Sequence, residues 1–394
     1  MKRVGRRATV TLIVLAQSTQ ALAFGAVALF LPLIREDIAL DFTQAGLLAV
    51  ASTATYALMQ IPAGFLADRM GPHRLFVIGL IGTNATYLIF AALETFVPLL
   101  VLQAISGVFR ALVFAPGLIL ISTHFSERRR STAMGLYVAG GFSSNVVLSL
   151  VGPFLVVPLG WRMLFVLSAG VAFLTVALYA RLGTVVIEPR IATPLRLTDL
   201  IGILREPIVW VAGLVQYVRL AMVTAVTFWL PTYLVVERGY DLRVAGVIIA
   251  LGAALTAPSN FLGGYIADRL GDPLLVIRVS LVVLALCAVA LVSVPTLPLV
   301  VAVVAVQAVF LQGYFGPLFA IPIAVLGSRT AGSVSGFSNL FANLGGLTFA
   351  YTLGAIRDTT GSFDRGFHAL AVLAIVGLLA TVVLGRSMER RVMT

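Results

Sequence analysis

The stretch GFLADRMGPHR, residues 64–74, separates two long apolar segments of the chain. A related stretch, GYIADRLG, occupies residues 264–271. Two glycines, an alanine, an aspartate and an arginine recur at the same spacing in both copies, and Asp268 lies 200 positions after Asp68. Because this offset is about half of the 394 residues, the chain consists of two copies of one unit.

The composition places the chain in the membrane. Hydrophobic residues make up 60% and charged residues 11%, with a mean hydropathy of +1.06. Soluble domains contain about half apolar and about a quarter charged residues. The chain is therefore predicted to be an integral membrane protein. Its single cysteine, Cys287, lies in an apolar run, which excludes an internal disulfide and predicts a core position.

The net charge of +11 does not indicate nucleic-acid binding, because the basic residues are scattered between apolar runs. The sequence also lacks the patterns of an enzyme, such as a His/Cys cluster, a phosphate-binding glycine loop or a paired nucleophile and base. We therefore expect no enzymatic activity, no cofactor, no metal and no nucleic-acid partner.

Twelve apolar segments are long enough to cross a bilayer, which requires about 20 residues each. The first follows the basic start MKRVGRR, but it is too long for a signal peptide and has no convincing cleavage site, so we expect it to be retained. The predicted spans are 8–33, 42–66, 75–93, 97–121, 131–157, 162–182, 207–231, 243–266, 274–294, 298–326, 331–356 and 365–385.

Charge predicts the orientation of these spans. With the N-terminus in the cytoplasm, nineteen basic residues fall in the inner segments and six in the outer ones. The positive-inside rule therefore favours a multi-pass protein of the inner (plasma) membrane with both termini in the cytoplasm.

The duplicated unit predicts an all-α membrane protein with twelve transmembrane helices in two pseudo-symmetric six-helix bundles, 1–182 and 207–394. A second repeat, Gly-Phe-Ser at 141–143 and again at 336–338, supports this division. The intervening residues 183–206 are predicted to be a cytoplasmic linker. Apolar residues at helical spacing within 197–204 favour a short amphipathic helix there, with a plain loop as the alternative.

The repeated motif resembles the major facilitator superfamily of secondary transporters, whose signature is Gly-x-x-x-Asp-Arg-x-Gly followed by basic residues. The resemblance covers essentially the whole chain and implies alternating access between two bundles. It also implies that Asp68 contacts the start of span eleven, near 329–333, and locks the outward-facing state. The alternative is a turn with a solvated ion pair. The gating residues implied are Gly64, Asp68, Arg69, Gly71, Arg74, Gly264, Asp268, Arg269 and Gly271.

Two positions depart from patterns of this superfamily. Span four has Gln103 where many relatives place an arginine, which argues against a proton relay at that position. Span five contains Gly152-Pro153 but lacks the glycine pair that follows in the drug-antiporter signature. This second difference argues against drug–proton antiport.

Arg110 and Arg219 fall near the centres of spans four and seven. An arginine at this depth costs about 2.5–3.5 kcal/mol on insertion scales, and none of the 16 acidic residues falls within a span to compensate it. A guanidinium group binds both oxygens of a carboxylate. We therefore expect the two arginines to bind a small organic anion, most simply a carboxylate. The alternative is that they donate to main-chain carbonyls at helix breaks.

The resemblance implies that spans one, four, seven and ten line a central cavity. Asparagines and serines in such helices can instead link neighbouring helices by hydrogen bonds. The candidate substrate-binding residues are Arg110, Arg219, Gln17, Gln20, Gln216, Tyr217, Gln307, Gln312, Tyr314, Asn339 and Asn343.

The sequence thus predicts a monomeric membrane transporter of a small organic anion. The lack of a carboxylate within the spans favours exchange or facilitated movement over proton symport, unless the substrate itself carries the proton. Drug efflux is the alternative transport function, and a sensor with a transporter fold is an alternative of another class.

Overall fold

This computed structural model describes residues 5–125, 130–183, 206–318 and 331–393. The elements within these ranges are helices joined by short turns. They are α1 (Arg6–Leu29), α2 (Leu31–Ile38), α3 (Phe42–Met70), α4 (Pro72–Phe90), α5 (Phe96–Thr123), α6 (Arg130–Leu182), α7 (Pro207–Thr224), α8 (Leu230–Val236), α9 (Leu242–Leu270), α10 (Pro273–Ser293), α11 (Leu297–Gly313), α12 (Ala331–Thr360) and α13 (Asp364–Met393).

Within the described residues these helices correspond to the twelve predicted spans, and positions 319–326 of span ten lie outside those residues. The first span consists of α1 and α2, and α6 contains spans five and six, divided at Gly160, where φ is 73°. The seventh span consists of α7, a π-helical turn at Ala225–Trp229, and α8. Within the described ranges, nine helices are long and apolar enough to cross a membrane, and α2 with the start of α3 forms a further pair bent by 120°. The prediction of an all-helical membrane fold is confirmed.

The duplicated motif forms a sharp glycine turn in both copies, which is one residue longer in the second. Gly71 and Gly271 follow α3 and α9 with φ of 83° and 66°, a region that side chains with a Cβ rarely adopt. Each of the next helices has a proline in its first turn, where a missing N–H costs nothing. In the second copy the Asp272 carboxylate also accepts a hydrogen bond from the Leu275 N–H at 2.9 Å. The motif therefore encodes a sharp helix–helix connection.

Among the described residues, predicted spans one, seven and ten are interrupted helices, and span ten breaks at Tyr314. Span one breaks between α1 and α2 just before Pro32, and span seven contains the π-helical turn just before Pro231. Proline has no N–H to donate and its ring collides with the carbonyl one turn earlier, so the preceding helix changes its hydrogen-bond register. Spans one and seven extend beyond the predicted ends at 33 and 231, to Ile38 and Val236.

The first compact unit comprises Met1–Ala192 and Thr227–Ala250. Its helices pack chiefly as α1 on α6, α3 on α5 and α4 on α5. Residues of its second segment pack within the same unit: the Trp229 ring lies 6.5 Å from Phe42, and a Cβ at Gly246 would come within 3.0 Å of the Ser149 carbonyl oxygen. The core of α1, α4, α5 and α6 contains Val10, Ile13, Ala16, Phe76, Leu80, Val113, Leu120, Ile121, Tyr137, Val176 and Tyr179.

The second compact unit comprises Thr193–Val226 and Leu251–Thr394. Its main contacts are α7 with α12 and α10 with α13. The Trp210 ring of α7 meets Phe337 and Phe341 of α12 edge-on, at 5.2 and 5.7 Å between ring centroids. The predicted amphipathic linker helix lies outside the described residues. The predicted bundle boundaries at 182 and 207 stay a prediction.

Candidate functional site

Arg110 lies within one residue of the midpoint of α5, at the depth that the sequence predicts. Close contact between α3 and α5 brings a polar group to it. A Cβ added at Gly107 would lie within 3.0 Å of the Ser52 carbonyl oxygen and of Thr55 Oγ1. The Thr55 hydroxyl also donates across this interface to the Ala104 carbonyl at 2.7 Å. Gly107 therefore allows α3 to approach the face of α5 that carries Arg110.

The Arg110 guanidinium is held by neutral groups. Its Nη1 donates to Ser52 Oγ at 2.9 Å, and its Cζ lies 3.6 Å from the centre of the Phe24 ring and 5.1 Å from that of Tyr56. Aromatic rings attract a desolvated guanidinium through their quadrupole. Its Nε is buried and has no hydrogen-bond partner in the described part of the chain. One edge of this cation is therefore available to a ligand.

Further polar groups line α4 and α5 beside Arg110. Gln103 and Ser106 are buried on the same helix, and the buried Tyr87 of α4 lies within electrostatic reach of the guanidinium. Within the described ranges, Gln103 Oε1 lacks a hydrogen-bond partner, and Ser106 Oγ and Tyr87 Oη have none beyond each other. Such groups normally bind protein or water in a folded protein, so this region has unused hydrogen-bonding capacity.

Arg219 has a related environment in the second unit. Its Nε donates to Gln216 Oε1 at 2.8 Å, and its Cζ lies 4.5 Å from the centre of the Phe315 ring. Tyr314 lies within electrostatic reach, is fully buried, and has an unpartnered hydroxyl among the described residues. In the described ranges, no recorded contact of Arg110 or Arg219 is to a carboxylate or to a main-chain carbonyl.

These observations lead to the family. The family model of the Major Facilitator Superfamily matches residues 13–350 of this chain. The chain belongs to the Major Facilitator Superfamily. It is thus a multi-pass membrane transporter and not an enzyme, and the resemblance based on the repeated motif is confirmed.

This chain is similar to two named transporters and to a solved transporter structure. It is 26% identical to a probable sulfoacetate transporter of Cupriavidus necator, covering 89% of this chain and 87% of the relative. It is 22% identical to a D-galactonate transporter of Escherichia coli O6:H1, covering 91% and 90%. A crystal structure of a bacterial homologue of the human lysosomal transporter Spinster, inward-facing and unoccupied, superposes with a TM-score of 0.84 at 17% identity, covering 98% of both chains.

The other predicted binding residues of this transporter differ in their surroundings. The Gln17 Oε1 accepts a hydrogen bond from Tyr137 Oη at 2.9 Å, so that oxygen already has a partner inside the first unit. Asn343 donates to the Asn339 carbonyl at 2.8 Å within α12, as expected of a helix-bound side chain. Gln17, Gln20, Gln216, Gln307, Tyr314 and Asn343 are buried, Tyr217 and Gln312 are half-buried, and Asn339 is exposed.

The predicted gating residues cluster at the two repeated turns. Gly71 and Gly271 form them, Gly264 is a helical residue of α9, and Arg69, Arg74, Asp268 and Arg269 are exposed nearby. Gly64 and Asp68 belong to α3, but the surroundings of Gly64 and the side chain of Asp68 are outside what the structure describes. The implied contact of Asp68 with 329–333 also lies outside it, and it stays a prediction.

Sequence reasoning did not identify three groups that contact Arg110, namely Phe24, Ser52 and Tyr56. Ser52 and Tyr56 are four residues apart on α3, which places them on one helix face. That spacing was an available signal. The family resemblance does not place span two at the cavity, so this spacing alone does not point to Arg110.

Proposed function

We propose that this transporter moves a small organic anion, with a carboxylate as the group that is recognised, and that Arg110 and Arg219 bind it in the central cavity. The observation that carries the proposal is the Arg110 guanidinium, which lies at the middle of a membrane helix with a free Nε and neutral neighbours. A buried cation without a partner is costly, and a bound anion would remove that cost. Arg219 has the same combination of an aromatic ring and a neutral acceptor.

The names of the relatives support an anionic substrate. Sulfoacetate and D-galactonate, which appear in the names of two relatives, are both acids that are ionised at neutral pH. They differ in size and in their second polar group but share a carboxylate. Recognition of the shared carboxylate by arginine is the simplest common chemistry.

Transport would proceed by alternating access, with exchange or facilitated movement favoured over proton symport. Symport would require a titratable group in the membrane, and the sixteen acidic residues fall outside the predicted spans. Anion binding would offset the charge of the arginines before they pass through a closed, desolvated state. The repeated turns at Asp68 and Asp268 would bias which side of the transporter is closed. The protein would act as a monomer in the inner membrane, with both termini in the cytoplasm.

Uptake into proteoliposomes tests this proposal. We expect uptake of labelled sulfoacetate or D-galactonate, accelerated when the same anion is present inside, and lost in Arg110→Ala and Arg219→Ala. Ser144→Ala is a matched control, because it removes a buried hydroxyl that donates only to the Gly141 carbonyl, at 2.7 Å. Unchanged uptake in both arginine variants, or transport of a cationic dye instead of the anions, would overturn the proposal and favour drug efflux.

A further inference from the structure

A guanidinium group has two edges that can hold a carboxylate with two parallel hydrogen bonds. The side edge presents Nε and Nη2, and the end edge presents Nη1 and Nη2. We propose that Ser52 and Gln216 are positioning residues that determine which edge receives the anion, the side edge at Arg110 and the end edge at Arg219. This inference rests on the proposed function and specifies how each arginine would bind the substrate.

At Arg110 the end edge is already engaged. Its Nη1 donates to Ser52 Oγ at 2.9 Å, whereas Nε is buried and has no partner among the described residues. Ser52 is fully buried, so its hydroxyl has little freedom to move. The Phe24 ring, 3.6 Å from Cζ, further restricts rotation of the guanidinium. The side edge, Nε and Nη2, therefore keeps its donors free of protein partners among the described residues, and a carboxylate admitted to the site would bind there.

At Arg219 the engaged edge is the side edge, the opposite of the arrangement at Arg110. Here Nε is the engaged nitrogen, since it donates to Gln216 Oε1 at 2.8 Å. Gln216 is three residues earlier on α7 and is 1% exposed. Among the described residues, Nη1 and Nη2 have no hydrogen-bond partner, so the end edge keeps its donors for a ligand. The sequence predicts Gln216 as a substrate ligand, whereas this geometry points to a role through Arg219.

Gly107 makes the first arrangement possible. It allows the main chain at Ser52 to lie against α5, and a side chain at this position would separate the two helices. Ser52 would then be drawn away from Nη1, and the guanidinium could rotate. The edge that binds the anion is thus set by helix packing and not by the arginine alone.

Affinity measurements on double variants test this inference. The probes are formate, sulfoacetate and D-galactonate, measured by calorimetry on the purified full chain. Loss of one hydrogen bond that orients the guanidinium predicts an affinity about three- to tenfold weaker for Ser52→Ala and for Gln216→Leu. The loss should be equal for all three anions, because a positioning residue does not contact the differing parts of the substrates.

The double variants distinguish positioning from direct binding. Ser52→Ala should have no further effect on affinity in Arg110→Ala, and Gln216→Leu none in Arg219→Ala. Additive losses, or losses confined to the larger anions, would show direct contact with the substrate and overturn the inference. Unchanged affinity in the single arginine variants would instead refute the proposed function.

A measurement without ligand provides a second, independent test. The Ser52–Arg110 bond predicts that Ser52→Ala lowers the unfolding midpoint in the wild-type chain more than in Arg110→Ala. Equal shifts in both backgrounds would show that the bond does not form and would overturn the inference, even if no probe anion binds. Thr381→Val, which removes a buried hydroxyl that donates only to the Leu378 carbonyl at 2.7 Å, is the matched control in the second unit.

Discussion

Replacing Gly107 by alanine tests the packing that holds Arg110. The new Cβ would lie within 3.0 Å of the Ser52 carbonyl oxygen and of Thr55 Oγ1, while ordinary van der Waals contacts begin near 3.4 Å. The Thr55 hydroxyl can rotate, but the carbonyl belongs to the helix backbone. The α3 helix must therefore retreat by at least about 0.4 Å, and overpacking of this kind costs about 1–3 kcal/mol.

Gly170→Ala is the matched control for this substitution. Gly170 lies in α6, where an added Cβ meets nothing within 4 Å, so alanine should provide only the gain in helix propensity of up to about 1 kcal/mol. The difference between the two variants isolates the packing cost.

The assay is reversible unfolding in detergent together with anion affinity. We expect Gly107→Ala to be less stable than Gly170→Ala by about 1–3 kcal/mol and to bind anions more weakly, because Ser52 moves away from Arg110. Equal stability of the two variants, with unchanged anion affinity, would refute the reasoning.

Three other substitutions probe the first unit by unfolding measurements. Gly246→Leu places a side chain against the Ser149 carbonyl and should cost about 1–3 kcal/mol; no loss would show that α6 and α9 do not pack closely there. Asp37→Asn removes the ion pair with Arg162. Because the side chains of Asp37 and Arg162 are 43% and 34% exposed, we expect the free energy of unfolding to fall by at most about 1 kcal/mol, and by less in high salt. Tyr137→Phe removes the single hydroxyl proton that lies between Gln17 Oε1 and the Val113 carbonyl, and it should cost about 1–3 kcal/mol; an unchanged stability would contradict this hydrogen bonding.

The spans and their repeat were predictable from sequence because the bilayer imposes a length and a composition on each helix. The turns after Asp68 and Asp268 were predictable in kind, since a glycine is needed where φ is positive and a proline suits the next helix start. The position of Arg110 near the middle of its helix was also predictable, because it follows from the length of the apolar run on either side.

The surroundings of Arg110 could not be predicted in the same way. Phe24, Ser52 and Arg110 belong to three different helices, and the approach of α3 to α5 depends on Gly107, whose effect is visible only in three dimensions. Likewise, the pattern that placed Gln17 in the cavity gave no sign that Tyr137, 120 residues later, donates a hydrogen bond to it.

The broken helices are a further limit of sequence reasoning. An apolar run with an internal proline is compatible with a kink, a π-helical turn or a clean break. The choice at Pro231, a π-helical turn at Ala225–Trp229, depends on how the neighbouring helices satisfy the released carbonyls. Local sequence does not contain this information.

Calorimetric titration of the purified chain with sulfoacetate and D-galactonate tests the role of the two arginines most directly. A charged hydrogen-bonding group contributes about 1.5–3 kcal/mol, so we predict an affinity about 10- to 150-fold weaker in both Arg110→Ala and Arg219→Ala, with Ser144→Ala unchanged. Arginine variants that remain folded and bind these anions as tightly as the wild-type chain would contradict anion recognition by Arg110 and Arg219.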